Sequence, residues 1–215
     1  MAIYANELNS NKAKYENTLP FHYHNNIYII LTNLRKDFVM IKYRTLQEQE
    51  IDRSLFSNFI RHQDVSLCLR RENGEWITRS DPFIDDWSET DYQVLINCLR
   101  KTLRTNGFVY GAFINGVLKG FVSVESKIFG EKYKYMDLSS LHVSEDIRRT
   151  GIGRSLFIAA ANWAMKYGAE KLYISAHSAI ETQAFYISMG CSDAAEYNMK
   201  HVESEPYDRQ MEYTL

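Results

Sequence analysis

The chain has 215 residues, 45% of them hydrophobic, enough to bury one core of ordinary domain size. Its 25 basic and 27 acidic side chains leave a formal charge of −2, which excludes the footprint of a nucleic-acid binder. Cys68, Cys98 and Cys191 are an odd and scattered set, which argues for a reducing compartment and against a disulfide scaffold or zinc site.

His22 and His24 are close together, but no carboxylate or thiolate cluster accompanies them, so no metal site is expected. No stretch reaches the ~20 apolar residues of a membrane span. The polar leader has neither a basic region nor a small-residue cleavage site. A soluble cytoplasmic protein with no nucleic-acid and no membrane partner is the expectation.

Residues 1–38 read as an N-terminal extension and 39–215 as the domain. Residues 6–18 are polar without a period, and 26–34 suit a short strand or a helix turn. Met40 is a candidate natural start, with the leader expected to be dispensable for folding. Residues 41–46 partly alternate and predict a strand. Residues 48–62 predict an amphipathic helix, with Ile51, Leu55, Phe56 and Phe59 on one face. A short strand is expected over 65–69, then a turn at Glu72-Asn73-Gly74-Glu75. Residues 76–87, with Pro82 and two tryptophans, read as irregular.

Ser88-Glu89-Thr90-Asp91 is a capping box and starts a helix through Leu95, Leu99 and Leu103. Asn106-Gly107 ends it. Residues 108–125 form a hairpin about Asn115-Gly116, the strongest short hairpin signal available. After a loop at 130–134, residues 135–143 predict a strand. A helix is expected over 152–167, with Leu156, Ala160, Trp163 and Tyr167 inward. A buried strand at 171–176, a helix at 181–189 stopped by Gly190, and strands at 194–199 and 209–213 complete the chain. This order describes a single α/β (α+β) domain with a mixed, mostly antiparallel central sheet flanked by helices.

The stretch Arg148-Arg149-Thr150-Gly151-Ile152-Gly153 stands between a strand and a long helix. Glycine at a helix mouth lets a ligand approach the backbone, and the unsatisfied N–H groups there favour an anion. The dinucleotide fingerprint would need a glycine where Leu156 stands, and no phosphate-loop Gly-x-x-x-x-Gly-Lys run exists. By itself the turn also suits a strand-to-helix connection with no ligand.

Arg148-x-x-Gly151-x-Gly153 resembles the Arg/Gln-x-x-Gly-x-Gly/Ala signature of the GCN5-related N-acetyltransferase (GNAT) superfamily. Leu141-His142-Val143-Ser144 is similar to the strand of that family that contacts acetyl-CoA. Downstream, Ala184-Phe185-Tyr186 followed by Gly190-Cys191 resembles its second signature. Two departures stand out. Ser178-Ala179-Ile180-Glu181 lacks the asparagine that many members carry, and Cys191 replaces an aromatic residue.

The resemblance implies an acetyltransferase moving acetyl from acetyl-CoA to a primary amine by direct attack. Another class, a non-catalytic acyl-CoA sensor, is the alternative. The pyrophosphate would lie on the backbone N–H groups of Arg149, Thr150, Gly151, Ile152, Gly153 and Arg154, with Arg148, Arg149 and Arg154 adding charge. The pantetheine arm would lie in the gap between two diverging strands and pair with Leu141, His142 and Val143. Tyr186 matches the general acid for the leaving thiolate. Asp137 matches a catalytic carboxylate of some members, and Glu125 and His177 end strands near the expected site. The acceptor segment would be Trp76, Asp81, Phe83, Asp85, Asp86 and Trp87, whose acids and tryptophans suit a cationic amine, while Asp85, Asp86, Glu89 and Asp91 equally suit the start of the following helix through its dipole. Small amines, peptide amines and a homodimeric assembly all stay open.

Overall fold

The computed structural model describes residues 27–32 and 38–215. The polar stretch 6–18 and the His22/His24 pair lie outside the described residues. The strands are β1 (Ile27–Thr32), β2 (Phe38–Thr45), β3 (His62–Glu72), β4 (Glu75–Asp86), β5 (Phe108–Ile114), β6 (Val117–Val124), β7 (Tyr135–Asp137), β8 (Ser140–Val143), β9 (Lys171–Ala176), β10 (Ser192–Asp193) and β11 (Arg209–Thr214). The helices are α1 (Glu89–Arg104), α2 (Ile152–Lys166), α3 (Ile180–Ser188) and α4 (Met199–Ser204).

Two sheets share the domain. One is antiparallel, in the order β1-β2-β5-β6-β8, and the other runs β10-β11-β9-β7. Only β7 and β9 pair in parallel among the described residues. The β3–β4 hairpin forms a separate ribbon.

The expected single strand over 135–143 is instead two. Leu138 donates its N–H to Tyr173 O in the second sheet, while Ser139 donates to Ser123 O in the first. The chain thus changes sheets between these two residues. Upstream of the bend it pairs with β9, downstream with β6, and the gap opened between β8 and β9 is the space on which the site is built.

Both faces of the first sheet are covered. Adjacent residues of a strand face opposite ways, and β6 uses this. Phe121 joins a core with Phe56, Phe113 and Leu99 under α1, whereas Val122 joins Ile152, Leu156 and Phe157 under α2. The hairpin turn is as expected, with Asn115 at φ 50° and Gly116 at φ 81°. The capping box also holds, with Asp91 N–H donating to Ser88 Oγ and Ser88 N–H to Asp91 Oδ2.

Other expectations are corrected. Residues 48–62 do not form a helix but two 3₁₀ turns, Glu48–Glu50 and Ser54–Phe56. The Asp52 carboxylate accepts from Leu55 N–H and Ser54 Oγ, a local turn that competes with helix propagation. The apolar face is still buried, with Ile51, Phe56 and Phe59 in the α1 core. Residues 76–87 are not irregular, because all but Trp87 belong to β4, and the β3 strand is longer than 65–69. A register shift between Val65 and Leu67 absorbs the proline-containing stretch. Tyr167 is 54% exposed and stacks on Trp163 from outside rather than filling the core. Residues 194–199 are not a strand. Asn198 instead caps α4, its side chain accepting from Lys200 N–H.

Candidate active site

The glycine turn has the geometry of an anion cradle. Arg149 and Gly151 adopt φ of 63° and 87°, and the left-handed Gly151 opens α2. Ser155 is the first N–H of this stretch to find an acceptor, Gly151 O at 3.1 Å. The N–H groups of residues 149–154 have no partner among the described residues. Such a row at a helix mouth suits a phosphate. A Cβ on Gly153 would stand 3.4 Å from Phe185 Cε2 and 3.7 Å from Val143 Cγ2. The turn, the end of β8 and the Phe185-Tyr186 helix therefore meet at one place.

The backbone of β8 is directed usefully. Ser144 donates to Lys119 O on the β6 side. Alternation then turns His142 toward β6 and leaves the N–H and C=O of Leu141 and Val143 on the open edge. The His142 ring is wedged between Trp87, 4.7 Å away, and Phe121, 5.3 Å away. Burial, helped by the charges of Arg61 and Arg148, pushes it down to about 3, so it is neutral at ordinary pH.

Tyr186 lies on α3 and is 6% exposed. Its hydroxyl has no hydrogen bond among the described residues. Burial raises its pKa well above the ordinary phenol range, with Cys191 and Asp208 adding to the effect. Cys191, in place of an aromatic residue, is plain core, its thiol pushed up to about 12 by burial.

Asp137 ends β7. Its Oδ2 lies 2.7 Å from His201 Nε2, and its Oδ1 is buried without a partner. Arg148 engages carbonyls, with Nε on Val143 O at 3.3 Å and an amino group on His62 O at 2.6 Å. Its side chain is thus spent fastening β8 to the start of β3. Thr150 Oγ1 donates to Ile147 O, Ile152 is buried in the core, and Arg149 and Arg154 are exposed beside the cradle.

Two cavities meet at Glu205, just beyond the end of α4. One, of about 430 Å³, is lined by Trp87, Ser123, Glu125, Ser139, His142 and Glu205 among others. The second, of about 400 Å³, is lined by Arg70, Phe83, His177, Tyr207, Glu205 and Asp208 among others. Phe83 packs edge-on to His177 at 5.4 Å. The β3–β4 hairpin closes this side, with Leu69 donating to Ser178 O.

The structure does not bring the whole acidic–aromatic segment to the site. Trp76 stands at the far tip of the hairpin, with Nε1 3.4 Å from Asp193 Oδ2 and Arg209 over its ring. Asp81 is paired with Arg70 and Asp85 with Arg61. Asp86 faces His62. These acids are matched within the hairpin and its base. Trp87, Phe83, Glu125 and His177 do line the cavities. Sequence reading missed His201, which the capped α4 turn brings to Asp137, and Glu205 and Asp208, which follow that turn and line the cavities. The visible signal was Asn198, a good N-cap residue placed before a helix-compatible run. Burial, then hydrogen bonding and charge from Glu205, raise the Asp208 pKa far above the usual carboxylate range.

The acetyltransferase (GNAT) family model matches residues 72–190, more than half of the chain. The chain belongs to the GNAT acetyltransferase family. Compared by sequence with curated proteins, it has no match. Among solved structures, a nourseothricin acetyltransferase matches with TM-score 0.57 at 18% identity, covering 81% of this chain and 98% of that one. A structure from Bacillus anthracis str. Ames, assigned as a streptothricin acetyltransferase and solved with acetyl coenzyme A, gives 0.56 at 17% identity over 81% and 97%. At these identities the likeness is one of fold. The donor that goes with this GNAT fold is acetyl-CoA. The unpaired N–H row of residues 149–154 and the open edge of β8 fit its pyrophosphate and its amide-bearing arm.

Proposed function

We propose that this GNAT chain is an N-acetyltransferase that moves acetyl from acetyl-CoA directly to a primary amine within a ternary complex. The supporting observation is convergence: the phosphate cradle, the open edge of Leu141 and Val143, and the Phe185-Tyr186 helix all meet at Gly153.

When bound, acetyl-CoA supplies the activated carbonyl. The Leu141 N–H is available on the open edge to donate to that carbonyl oxygen. The Tyr186 hydroxyl, protonated throughout the physiological range, donates its proton to the departing sulfur. The attacking amine has an ordinary pKa of about 10 and must first lose a proton. The Asp137–His201 pair takes it. The carboxylate raises the proton affinity of the imidazole, and their hydrogen bond fixes the ring.

Two measurements test this reading. CoA is expected to raise the melting temperature, and thiol release from acetyl-CoA is expected on addition of primary amines. Stabilisation by CoA without thiol release across a broad amine panel would leave a binding module in place of an enzyme.

A further inference from the structure

We infer that the acceptor is a small diamine, held at its far end by Glu125 and reacting at the end beside Glu205. This rests on the N-acetyltransferase reading and adds the charge class of the acceptor to it.

The cavity of about 430 Å³ between α1, β6 and β8 has the volume of a site for one small organic molecule. Glu125, in its lining, is held in place. Thr102 Oγ1, on a residue 1% exposed, donates to Glu125 Oε1 at 2.5 Å, and Ser139 Oγ lies 3.3 Å from the same oxygen. Ser123 Oγ, 2.9 Å from Ser139 Oγ, supports that hydroxyl in turn. Both donors converge on one oxygen, and Oε2 has no hydrogen bond among the described residues. A carboxylate fixed in this manner offers its second oxygen to a donor, and an ammonium group is the donor that also neutralises it.

The surroundings agree in sign. Trp87 provides an aromatic wall that already holds one cation, Arg61, 5.2 Å over its ring, and that guanidinium is neutralised by Asp85. The imidazole of His142 brings no positive charge, being neutral between two rings. The cation in the lining, Lys101, is exposed on α1. Asp91 is engaged in capping that helix. The second oxygen of Glu125 is left for a ligand, and at the other end stands Glu205, which shares a hydrogen bond with Asp208. Glu205 borders both cavities, and its N–H donates at 2.8 Å to the carbonyl of His201, the histidine of the pair proposed as base. Glu205 therefore marks the reacting end and Glu125 the far end. A monoamine would meet one of these two acidic positions and leave the other facing an apolar ligand.

The test uses the full chain, acetyl-CoA and two matched panels, α,ω-diamines of three to six carbons and the monoamines of the same lengths, followed by thiol release. At least one diamine is expected to exceed its matched monoamine in kcat/KM by about 10- to 100-fold, the worth of one charged hydrogen bond. Glu125→Gln, which keeps a group able to accept from Thr102, is expected to bring that ratio to about one through the diamine KM. Ser139→Ala, a milder change, is expected to shift it the same way. Monoamines turned over as fast as every diamine, or a ratio unmoved by Glu125→Gln, overturn the inference alone. No thiol release in either panel overturns the N-acetyltransferase reading and the inference with it.

Discussion

Asp137 and His201, on β7 and α4, meet at 2.7 Å between Oδ2 and Nε2. The contact docks the short α4 helix on the second sheet, and the His201 ring also stacks on Tyr173 at 5.7 Å. Hydrogen bonding to Asp137 raises the His201 pKa above its ordinary 6.5.

A stability signature follows from that pair. A histidine whose folded pKa exceeds its unfolded value contributes fully below the unfolded value, and the contribution disappears as pH rises through the folded one. Wild type is therefore expected to exceed His201→Asn in unfolding free energy by on the order of 2 kcal/mol below pH 6.5. The gap should narrow at higher pH. Urea denaturation of both proteins from pH 5.5 to 9 measures it, and a gap that widens with pH would contradict the assignment.

His142 has the opposite sign. Its folded pKa of about 3 lies below its ordinary 6.5. Its contribution is complete above 6.5 and is lost as pH falls toward 3, because the unfolded chain takes up a proton that the folded ring refuses. The ring is only partly buried, so the loss between pH 7 and pH 5 is on the order of 1 kcal/mol. His142→Gln is expected to flatten this acid limb, read from urea midpoints at the two pH values. A midpoint difference between pH 7 and pH 5 as large as in wild type would show that His142 is not its source.

Much of this fold was legible in the chain. The Asn115-Gly116 turn and the Ser88 capping box depend on a few local residues, and both formed as written. The core faces of Leu99 and Leu156 followed from spacing. What failed was non-local. Nothing between Tyr135 and Val143 announces that Leu138 and Ser139 will bond to different sheets, since each half alone is a good strand. The hairpin acids looked like a substrate patch because Arg61 and Arg70, which neutralise Asp85 and Asp81, come from β3 and the segment before it. The site was half legible for the same reason. The cradle is one contiguous stretch, whereas Asp137, Glu125 and Glu205 converge from three separate parts of the chain.

Gly151 tests the cradle. Its φ of 87° is left-handed, while a Cβ there would meet nothing within 4 Å. The cost of a side chain is therefore conformational, about 1–2 kcal/mol for alanine and more for a β-branched residue. Gly151→Ala is expected to fold with reduced CoA affinity, and Gly151→Val to lose CoA binding. Isothermal titration with CoA decides, since wild-type affinity in the valine variant would mean that the N–H row does not hold the phosphates.

Tyr186 tests the chemistry. The hydroxyl is buried and without a hydrogen bond among the described residues, so removing it breaks no structural contact there. Tyr186→Phe is accordingly expected to keep its stability and its CoA affinity while losing about 10²-fold or more in kcat, the usual worth of a general acid. The neighbouring Cys191 cannot take over the role, since its own thiol is pushed up to about 12 by burial. The pH dependence separates this role from simple packing. With its pKa raised above the ordinary 10, Tyr186 stays protonated through pH 9, so the wild-type rate should show no alkaline loss from it below that point. Parallel kcat profiles and CoA titrations for the two proteins settle the matter. An unchanged kcat in Tyr186→Phe would remove the phenol from the reaction and leave proton delivery to solvent.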